Sequence, residues 1–341
     1  MKNILIKKDC SILETLEKIQ KNQLKCLVVV NKQNILLGTI NDGDIRRAIL
    51  KNAKLNYKIS KYYKKNCFYL KKDQAHKVNV KEKFKTLDIN LIPLVDKNNK
   101  VVDYLSNTLK KQRVLKKNFK KYEFVIMAGG LGTRLKPYTN ILPKPLLPYK
   151  NKTIIENVIN NFLKYNIKKF IISINYKNIL IKSFFKELRP DYKISYLEEK
   201  KPLGTAGVLY KLNNKKNFIV SNCDVVIDID FDDLMNYHNQ TKSDITLVTS
   251  IQNDRIPYGV CKIKNNKLKN IIEKPEKNYL ANAGLYAVSG KVFKLIKKNE
   301  NLSFVNLIKR ALRKKLKINI YPIHNNAWVD LGQSIDFARE Q

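Results

Sequence analysis

From residue 124 onward, short apolar runs alternate with helical segments, and this alternation leaves few folds open to the chain. Strands are predicted at 124–127, 169–174, 193–197 and 218–221, with helical segments between them. The first helix, over 153–165, has a clear start, because Thr153 and Glu156 form a capping-box pattern ahead of an apolar-periodic run. Strands that alternate with helices predict an α/β fold, Rossmann-like, with a largely parallel mixed sheet. Ligands of such folds bind at the carboxyl ends of the strands.

The first 120 residues contain a weak internal repeat. Residues 27–34 reappear in type as residues 92–99, which is a constant offset of 65 positions. Each copy has an apolar strand, a polar turn, a second strand (35–40 and 101–105) and a helix-like segment. Neither copy can bury its apolar face alone, so the two are expected to pair into a small α+β module over residues 1–115. The basic segment 110–121 is typical of a linker, and a second domain is predicted over residues 122–341.

Bulk properties narrow the class of protein. The 341 residues suit two domains, and no stretch approaches the roughly 20 apolar residues of a membrane span. The N-terminus resembles no signal peptide, and the five cysteines are scattered without a CxxC pair. We therefore expect a cytoplasmic protein without structural zinc or a membrane partner.

The net charge of +38 taken alone would indicate a nucleic-acid partner. However, only nine of the 67 basic residues are arginine, and the lysines are spread along the whole chain. Diffuse lysine lacks the fork geometry that specific phosphate and base contacts favour. The charge is interpreted as a solvated surface, and no nucleic-acid partner is expected.

The residues with the clearest chemistry follow the first strand of the second domain. Residues 128–139 read AGGLGTRLKPYT, and residues 142–148 read LPKPLLP. Glycines let the main chain approach a phosphate and donate N–H groups to it, while Arg134 and Lys144 supply the positive charge that a triphosphate requires. The string is neither the P-loop nor the dinucleotide fingerprint. A turn that needs glycine would explain the glycines, but not the arginine and the proline-flanked lysine with them.

The string resembles the signature of the sugar-1-phosphate nucleotidyltransferase family, GGxGTRLxPxTxxxPKPLLP. Further family landmarks follow in order: PLGTAG at 202–207, SNCD at 221–224, YGV at 258–260, EKP at 273–275, NAGLY at 282–286 and WVDLG at 328–332. The resemblance covers about Tyr122 to the C-terminus and implies a GT-A-like nucleotidyltransferase fold. The sequence departs from the family at Cys223, where glycine is usual.

The resemblance implies a role for each segment. Asp224 and Asp330 would hold Mg²⁺, while Arg134, Lys144 and Lys274 would be catalytic, stabilising pyrophosphate, the α-phosphate and the sugar phosphate respectively. The expected nucleotide-binding residues are Ala128, Gly129, Gly130, Gly132, Thr133, Arg134, Glu199, Pro202, Gly204 and Thr205. The expected sugar-phosphate-binding residues are Gly259, Glu273, Lys274, Asn282 and Gly284.

Each of these residues also has a structural interpretation when it is taken singly. Asp224 ends an apolar strand, where aspartate is often a turn former. Asp330, near the end of the chain, could be merely solvated, and Glu273 and Lys274 could be an exposed ion pair of little energetic value.

The nucleotide and the sugar are open at the level of residues. A carboxylate such as Glu198 or Glu199 can accept from guanine N1–H and N2–H₂ together, although two solvated charges at a strand end would look the same. The small repeat module of residues 1–115 ahead of a transferase domain resembles the arrangement of the glucosamine-1-phosphate guanylyltransferases of bacterial legionaminic acid synthesis, used in flagellin glycosylation. That resemblance implies GTP and glucosamine 1-phosphate as substrates, giving GDP-glucosamine. A heptose-1-phosphate guanylyltransferase, a transferase that uses UTP, CTP or dTTP, and a catalytically silent nucleotide sensor are the alternatives.

The front module resembles a tandem pair of cystathionine-β-synthase (CBS) domains, which sense adenine nucleotides. Residues 38–45 match the ending of the first family copy, in which Asp44 would hold a ribose, although Asn41 stands where the family has Ser or Thr. The second copy keeps Ser106 but has Leu109 in place of the aspartate. The resemblance therefore implies one adenine-nucleotide pocket at most; a purely structural, dimer-forming role stays open, and a homo-oligomer is expected.

Overall fold

The computed structural model describes residues 4–21, 25–87, 89–106, 122–212 and 216–332. The chain divides into two compact units, Met1–Arg113 and Val114–Gln341. None of the helices within the described residues is long and apolar enough to cross a membrane. The predicted linker 110–121 and Leu109 lie outside the described residues.

The first unit consists of two similar small sheets with helices. Its elements are β1 (Leu5–Lys7), α1 (Ile12–Lys21), β2 (Cys26–Val30), β3 (Leu36–Asn41), α2 (Asp42–Leu50), β4 (Leu70–Lys71), α3 (Val80–Thr86), β5 (Leu91–Val95) and β6 (Val101–Ser106). The sheets have the orders β1-β2-β3 and β4-β5-β6, and each joins a parallel pair to an antiparallel pair. The repeat predicted from the offset of 65 is therefore present in the structure.

The two repeats pair through their turns. The Leu36 N–H donates to the Asn99 carbonyl at 2.9 Å, and the Val101 N–H donates to the Asn34 carbonyl at 3.0 Å. Each donor and each acceptor is 65 positions from its counterpart, so the contact is reciprocal. Side chains of both repeats, among them Val28 and Val95, share one apolar cluster. The apolar face of each copy is buried by the other, as the sequence predicts.

The second unit is built around one seven-stranded sheet. Its elements are β7 (Tyr122–Met127), α4 (Tyr138–Ile141), β8 (Pro148–Tyr149), β9 (Lys152–Thr153), α5 (Ile154–Leu163), β10 (Lys169–Ile174), α6 (Asn178–Leu188), β11 (Lys193–Glu198), β12 (Asn217–Asn222), β13 (Val225–Ile227), α7 (Phe231–Gln240), β14 (Ile245–Arg255), β15 (Val260–Lys264), β16 (Lys267–Ile272), β17 (Glu276–Ser289), α8 (Phe304–Arg313), β18 (Ile318–His324) and β19 (Trp328–Asp330). The sheet order is β11-β10-β7-β12-β17-β14-β18. Only β17 runs against its neighbours among these strands, which confirms the largely parallel mixed sheet.

The sheet is covered by an apolar layer on each face. Along β7, Phe124 and Ile126 belong to the layer that contains α5 and α7, while Val125 and Met127 belong to the layer that contains α8. Successive side chains of a strand point to opposite faces, so a continuous apolar run is what a strand buried on both faces requires. Helix α5 begins as predicted, because Thr153 and Glu156 form the reciprocal capping box.

Candidate active site

A cleft of about 300 Å³ lies beside the carboxyl ends of β7 and β12 in the second unit. This is where a parallel sheet is expected to bind ligands. Its lining residues come from five separate stretches of sequence: Gly132, Thr133, Arg134, Leu135, Lys144, Asn222, Asp224, Val225, Asn282, Ala283, Gly284, Trp328, Asp330 and Gly332.

The glycine-rich loop enters the cleft at Gly132. Gly132 has a φ of 65°, and a Cβ at this position would lie 2.8 Å from the Thr139 Cγ2 atom and 3.0 Å from the Lys144 Cβ atom. Thr139 donates its hydroxyl hydrogen to the Gly132 carbonyl at 3.0 Å. The following turn is anchored by Leu135, which is buried in a small apolar cluster with Leu331. The packing of Thr139 and Lys144 around position 132 therefore requires glycine there. The exposed Arg134 lies at the edge of the cleft.

The two predicted metal ligands meet through a short strand pair. Asp224 directly precedes β13, and Asp330 ends β19, which pairs antiparallel with β13 so that Val225 lies opposite Asp330. The Leu331 N–H donates to the Asp224 carbonyl at 2.7 Å. These backbone contacts bring two distant carboxylates to one end of the cleft.

Gly332 marks the point at which the charged groups converge. A Cβ on Gly332 would lie 2.5 Å from Asp224 Oδ2, 2.5 Å from Lys144 Nζ and 2.8 Å from Asp330 Oδ1. Lys144 also forms an ion pair with Asp224, and the Gly332 N–H donates to Asp330 Oδ1 at 2.8 Å. Two acidic groups and one basic group therefore surround a space that only a residue without a side chain leaves open.

This donor set fits Mg²⁺. Magnesium in phosphate-transferring sites is held by one or two carboxylates and completes its shell with water and substrate oxygens. Among the described residues, no group of three or more His, Cys, Asp or Glu side chains could hold a metal. The Asp224 and Asp330 pair is the arrangement expected for a metal that arrives with phosphate oxygens.

The residue between Asn222 and Asp224 departs from the family motif without adding reactivity. Cys223 is buried in the apolar layer that contains α5, and this burial raises the pKa of its thiol to about 12. The thiol is therefore protonated near neutral pH and acts as a packing group.

Asn282 and Gly284 lie opposite the glycine loop, together with Asn222. Gly284 has a φ of 76°, and a Cβ there would lie 2.7 Å from the Asn222 Nδ2 atom. The Gly284 N–H donates to Asn282 Oδ1 at 3.0 Å, and the Asn282 amide donates to the Tyr286 hydroxyl at 2.9 Å. Asn222 and Gly332 were not predicted as site residues, although both stand within motifs that identify their neighbours.

Glu199 connects the predicted base loop to the glycine loop. Its Oε2 accepts from the Leu203 N–H at 2.9 Å, and its Oε1 is 2.8 Å from where a Cβ of Gly129 would lie. The adjacent Asn175 amide donates to the Glu199 carbonyl at 2.7 Å. Burial raises the pKa of Glu199. The neighbouring Glu198 is exposed and pairs with Lys182, so the two adjacent carboxylates have different environments.

The remaining predicted nucleotide-binding residues lie near this connection and do not line the 300 Å³ cleft. Ala128 is buried and donates its N–H to the Ser173 carbonyl. A methyl group on Gly130 would meet no heavy atom of the described chain within 4 Å. Pro202 is exposed, Gly204 has a φ of 74°, and Thr205 accepts from the Phe304 N–H.

Three predicted sugar-phosphate residues lie together on an exposed arm of the second unit. A Cβ on Gly259 would lie 3.0 Å from Glu273 Oε2, and Glu273 and Lys274 form an ion pair at 3.9 Å. Lys274 has a φ of 44°, and its side chain is 51% exposed. None of these three residues lines the cleft that contains Asp224. Their assignment to the sugar phosphate stays a prediction.

Asp44 in the first unit has protein partners for both carboxylate oxygens. Its Oδ2 accepts from the Asn41 N–H at 2.9 Å, which completes a capping box at the start of α2. Its Oδ1 forms an ion pair with Arg47. The predicted ribose contact would have to share this carboxylate with the helix cap.

Comparison with known proteins identifies the class. The family model described as nucleotidyl transferase matches residues 123–341, and a CBS domain model matches residues 1–51. The chain therefore belongs to the nucleotidyl transferase family and carries a CBS domain at its N-terminus.

Sugar-1-phosphate guanylyltransferases are among the proteins that the chain is similar to. The chain is 30% identical over 224 residues to the mannose-1-phosphate guanylyltransferase catalytic subunit beta of Danio rerio, an alignment that covers 62% of each chain. It is 32% identical over 217 residues to the D-glycero-α-D-manno-heptose 1-phosphate guanylyltransferase of Campylobacter jejuni, covering 62% of this chain and 96% of that protein. The chain thus spans less than two thirds of the first relative and almost all of the second.

The crystal structure of HddC from Yersinia pseudotuberculosis has the same fold. The two structures superpose with a TM-score of 0.51 at 24% sequence identity, covering 64% of this chain and 97% of that chain. The expected nucleotidyltransferase fold is confirmed for the second unit.

The geometry at Gly332 generates the first prediction. Gly332→Ala should lower kcat by about a hundredfold, because the methyl group would displace Lys144 and both carboxylates from their common point. Steady-state pyrophosphate release measures the loss, and the melting temperature checks that the fold is retained. A Gly332→Ala protein with normal kcat would show that this convergence is not required.

The carboxylate pair generates the second prediction. Asp224→Asn and Asp330→Asn should each lower kcat by at least about a hundredfold, because each removes one of two negative charges assigned to the metal. Asp228→Asn is the matched control, since Asp228 is exposed, lies four positions from Asp224 and is not part of the cleft. Near-normal turnover in either cleft variant would remove that residue from the metal site.

Proposed function

We propose that this protein is a sugar-1-phosphate guanylyltransferase, which joins a nucleoside triphosphate to a sugar 1-phosphate and releases pyrophosphate. The observation that carries the proposal is the convergence of Lys144, Asp224 and Asp330 at Gly332, beside the Gly132–Arg134 loop. A site with two carboxylates, a lysine and an arginine suits a reaction in which two anions must meet.

In the proposed reaction, an oxygen of the sugar phosphate attacks the α-phosphorus of the triphosphate in line. A new phosphorus–oxygen bond forms while the bond between the α-phosphorus and the bridging oxygen breaks, and pyrophosphate leaves with that oxygen. The attacking phosphate is already ionised, so no general base is needed. Mg²⁺, held by Asp224 and Asp330, would neutralise phosphate charge and align the two reacting groups.

The chain's own cations complete the neutralisation of charge. Arg134, exposed at the edge of the cleft, is assigned to the leaving pyrophosphate. Lys144 forms an ion pair with Asp224 and is assigned to the α-phosphate and the attacking oxygen. The exposed Lys274 is assigned to the sugar phosphate, which requires the arm that carries it to approach the cleft.

Guanine is the proposed base. The guanylyltransferases among the similar proteins support this assignment, as does the placement of Glu199 between the base loop and Gly129. An ionised carboxylate can accept from guanine N1–H and N2–H₂, and each oxygen has two lone pairs, so the bond from the Leu203 N–H leaves capacity for a ligand. Because burial raises the pKa of Glu199, this contact weakens as the pH falls through that raised pKa.

The proposed sugar is glucosamine 1-phosphate, which gives GDP-glucosamine for legionaminic acid synthesis. This finer assignment rests on the resemblance of a CBS-type module fused ahead of the transferase. A second candidate is the heptose 1-phosphate that names the Campylobacter jejuni relative, because almost the whole of that protein aligns with this chain.

We expect GTP with glucosamine 1-phosphate to give the fastest pyrophosphate release. The assay combines each of GTP, UTP, CTP and dTTP with glucosamine, mannose and heptose 1-phosphates. A preference for a pyrimidine triphosphate would overturn the assignment of guanine, and a preference for heptose 1-phosphate would favour the second candidate.

Glu199→Gln should lower kcat/KM for GTP at least tenfold, about the value of a hydrogen bond to a charged group. The neighbouring Glu198→Gln is the matched control and should change it little, because Glu198 is exposed.

The CBS-type module is proposed to bind one adenine nucleotide per chain through Asp44. Asp44→Asn should weaken AMP binding by at least about tenfold, while its amide oxygen can still accept from the Asn41 N–H and preserve the cap. Asp42→Asn, in the same helical turn, is the control. Calorimetric titration of the full chain with AMP makes the measurement, since AMP lacks the triphosphate that the transferase cleft is expected to require. Absence of binding by the wild-type protein would leave the module a structural role.

A further inference from the structure

The predicted base loop, residues 202–207, is hydrogen-bonded to a segment almost a hundred positions further along the chain. The Leu302 N–H donates to the Leu203 carbonyl at 2.9 Å, and the Ala206 N–H donates to the Leu302 carbonyl at 2.9 Å. The Phe304 N–H donates to Thr205 Oγ1 at 2.8 Å. We call residues 300–304 the backing segment. The conformation of the base loop therefore depends on where the backing segment lies.

The backing segment lies so close to the base loop that positions 204 and 207 of the loop must be glycine. A Cβ on Gly204 would lie 2.7 Å from the Leu302 carbonyl oxygen, and a Cβ on Gly207 would lie 2.3 Å from the Glu300 carbonyl oxygen. Real Cβ atoms do not approach backbone oxygens so closely, so the loop and the segment are in direct backbone contact. A displacement of the segment is transmitted to the loop without side chains to absorb it.

The backing segment is held at its start by Arg310, on helix α8. Arg310 Nη2 lies 2.5 Å from Glu300 Oε1, and Nη1 donates to Glu300 Oε2 at 2.9 Å, so the pair is bidentate. Nη1 also donates to the Leu295 carbonyl at 2.6 Å. The bonds from Arg310 to Glu300, together with one from the Lys297 N–H at 3.0 Å, lower the pKa of Glu300 to about 2, and the pair is therefore ionised throughout the neutral range. At its other end, the segment is held by Phe304, whose ring stacks on Tyr286 at a centroid distance of 3.7 Å.

The pair is in partial contact with water. The side chains of Arg310 and Glu300 are 30% and 23% exposed, so solvent screens part of the attraction between their charges. What the bidentate geometry does provide is orientation, since a planar guanidinium fixes the carboxylate and the chain that carries it.

We propose that Arg310 and Glu300 are positioning residues for the nucleotide base. They fix the position of the backing segment, and the hydrogen bonds from this segment fix the conformation of the base loop. Neither residue lines the cleft. The inference rests on the proposed function, since it assumes that residues 202–207 contact the base of a triphosphate substrate.

This role predicts a particular kinetic signature. Loss of the Arg310–Glu300 contact should let the backing segment move and weaken nucleotide binding, while the phosphate-binding groups at Gly332 keep their geometry. Arg310→Met and Glu300→Gln should each raise KM for GTP by about tenfold, with kcat within about threefold of wild type and KM for the sugar phosphate unchanged. Discrimination between GTP and ITP, which lacks the 2-amino group, should fall in parallel. Arg310→Lys, which keeps the charge but not the fork, should lie between wild type and Arg310→Met.

The control breaks a different ion pair of the same domain. Lys216 pairs with Glu123 where β7 and β12 begin, at the edge of the sheet opposite the cleft. Lys216→Met should leave both KM values unchanged. If Arg310→Met and Glu300→Gln behave as this control does, or if they lower kcat and weaken both substrates alike, the positioning role is wrong.

The proposed function and this inference fail in different ways. A wild-type protein that binds GTP but releases no pyrophosphate with any sugar phosphate contradicts the proposed function, and calorimetric GTP binding then still measures the effect of Arg310→Met. In that case an unchanged Kd overturns the inference, and a roughly tenfold higher Kd supports it. A wild-type protein that binds no triphosphate would contradict both.

Discussion

The carboxylates of Asp224 and Asp330 approach one point in the protein, and like charges so close repel each other unless a cation lies between them. Lys144 supplies such a cation through its ion pair with Asp224. The pairing of β13 with β19 fixes the backbone positions from which the two carboxylates extend, so both residues stay at the same end of the cleft. The pair of carboxylates therefore favours the binding of a cation, and a bound cation in turn favours the binding of phosphate anions.

This arrangement depends on the order of strands in the sheet. The glycine loop follows β7, Asp224 follows β12, and residues 282–284 lie within β17, which is the next strand in the sheet. Because β7 and β12 are parallel, their following loops emerge at the same edge. The antiparallel β17 runs the other way, so it brings residues from its middle to that edge before it pairs with β12. Three neighbouring strands thus assemble a cleft that no local segment contains.

Local signals in the sequence predicted local structure well. The capping box at Thr153, the strand at 169–174 and the offset of 65 between the repeats all depend on residues close in sequence or on a fixed period, and all three are present in the structure. Most of the cleft was also predicted, because the resemblance to a family supplied the order of the motifs. Gly332 and Asn222 were missed because their importance depends on neighbours far along the chain. The position of Lys274 outside the cleft follows from the exposed arm formed by the ends of β14 and β17 with β15 and β16, which no periodicity of the sequence indicates.

The PLGTAG segment shows why a motif alone does not separate ligand contacts from folding contacts. A glycine in such a loop is readily assigned to a ligand, since glycine permits close approach. In this protein, Gly204 and Gly207 approach the carbonyl oxygens of Leu302 and Glu300, and the hydroxyl of Thr205 accepts from Phe304. Five of the six motif residues, all except Pro202, therefore contact the backing segment, and the motif has a role in folding whether or not it binds a nucleotide. The groups proposed to contact the base are Glu199, which also bonds the loop through Leu203, and the main chain near Gly129. In the proposed function, the Glu199 carboxylate bonds both the loop, through Leu203, and the base, so binding and folding share this contact. Changes at Glu300 or Arg310 can therefore alter nucleotide affinity without touching the nucleotide.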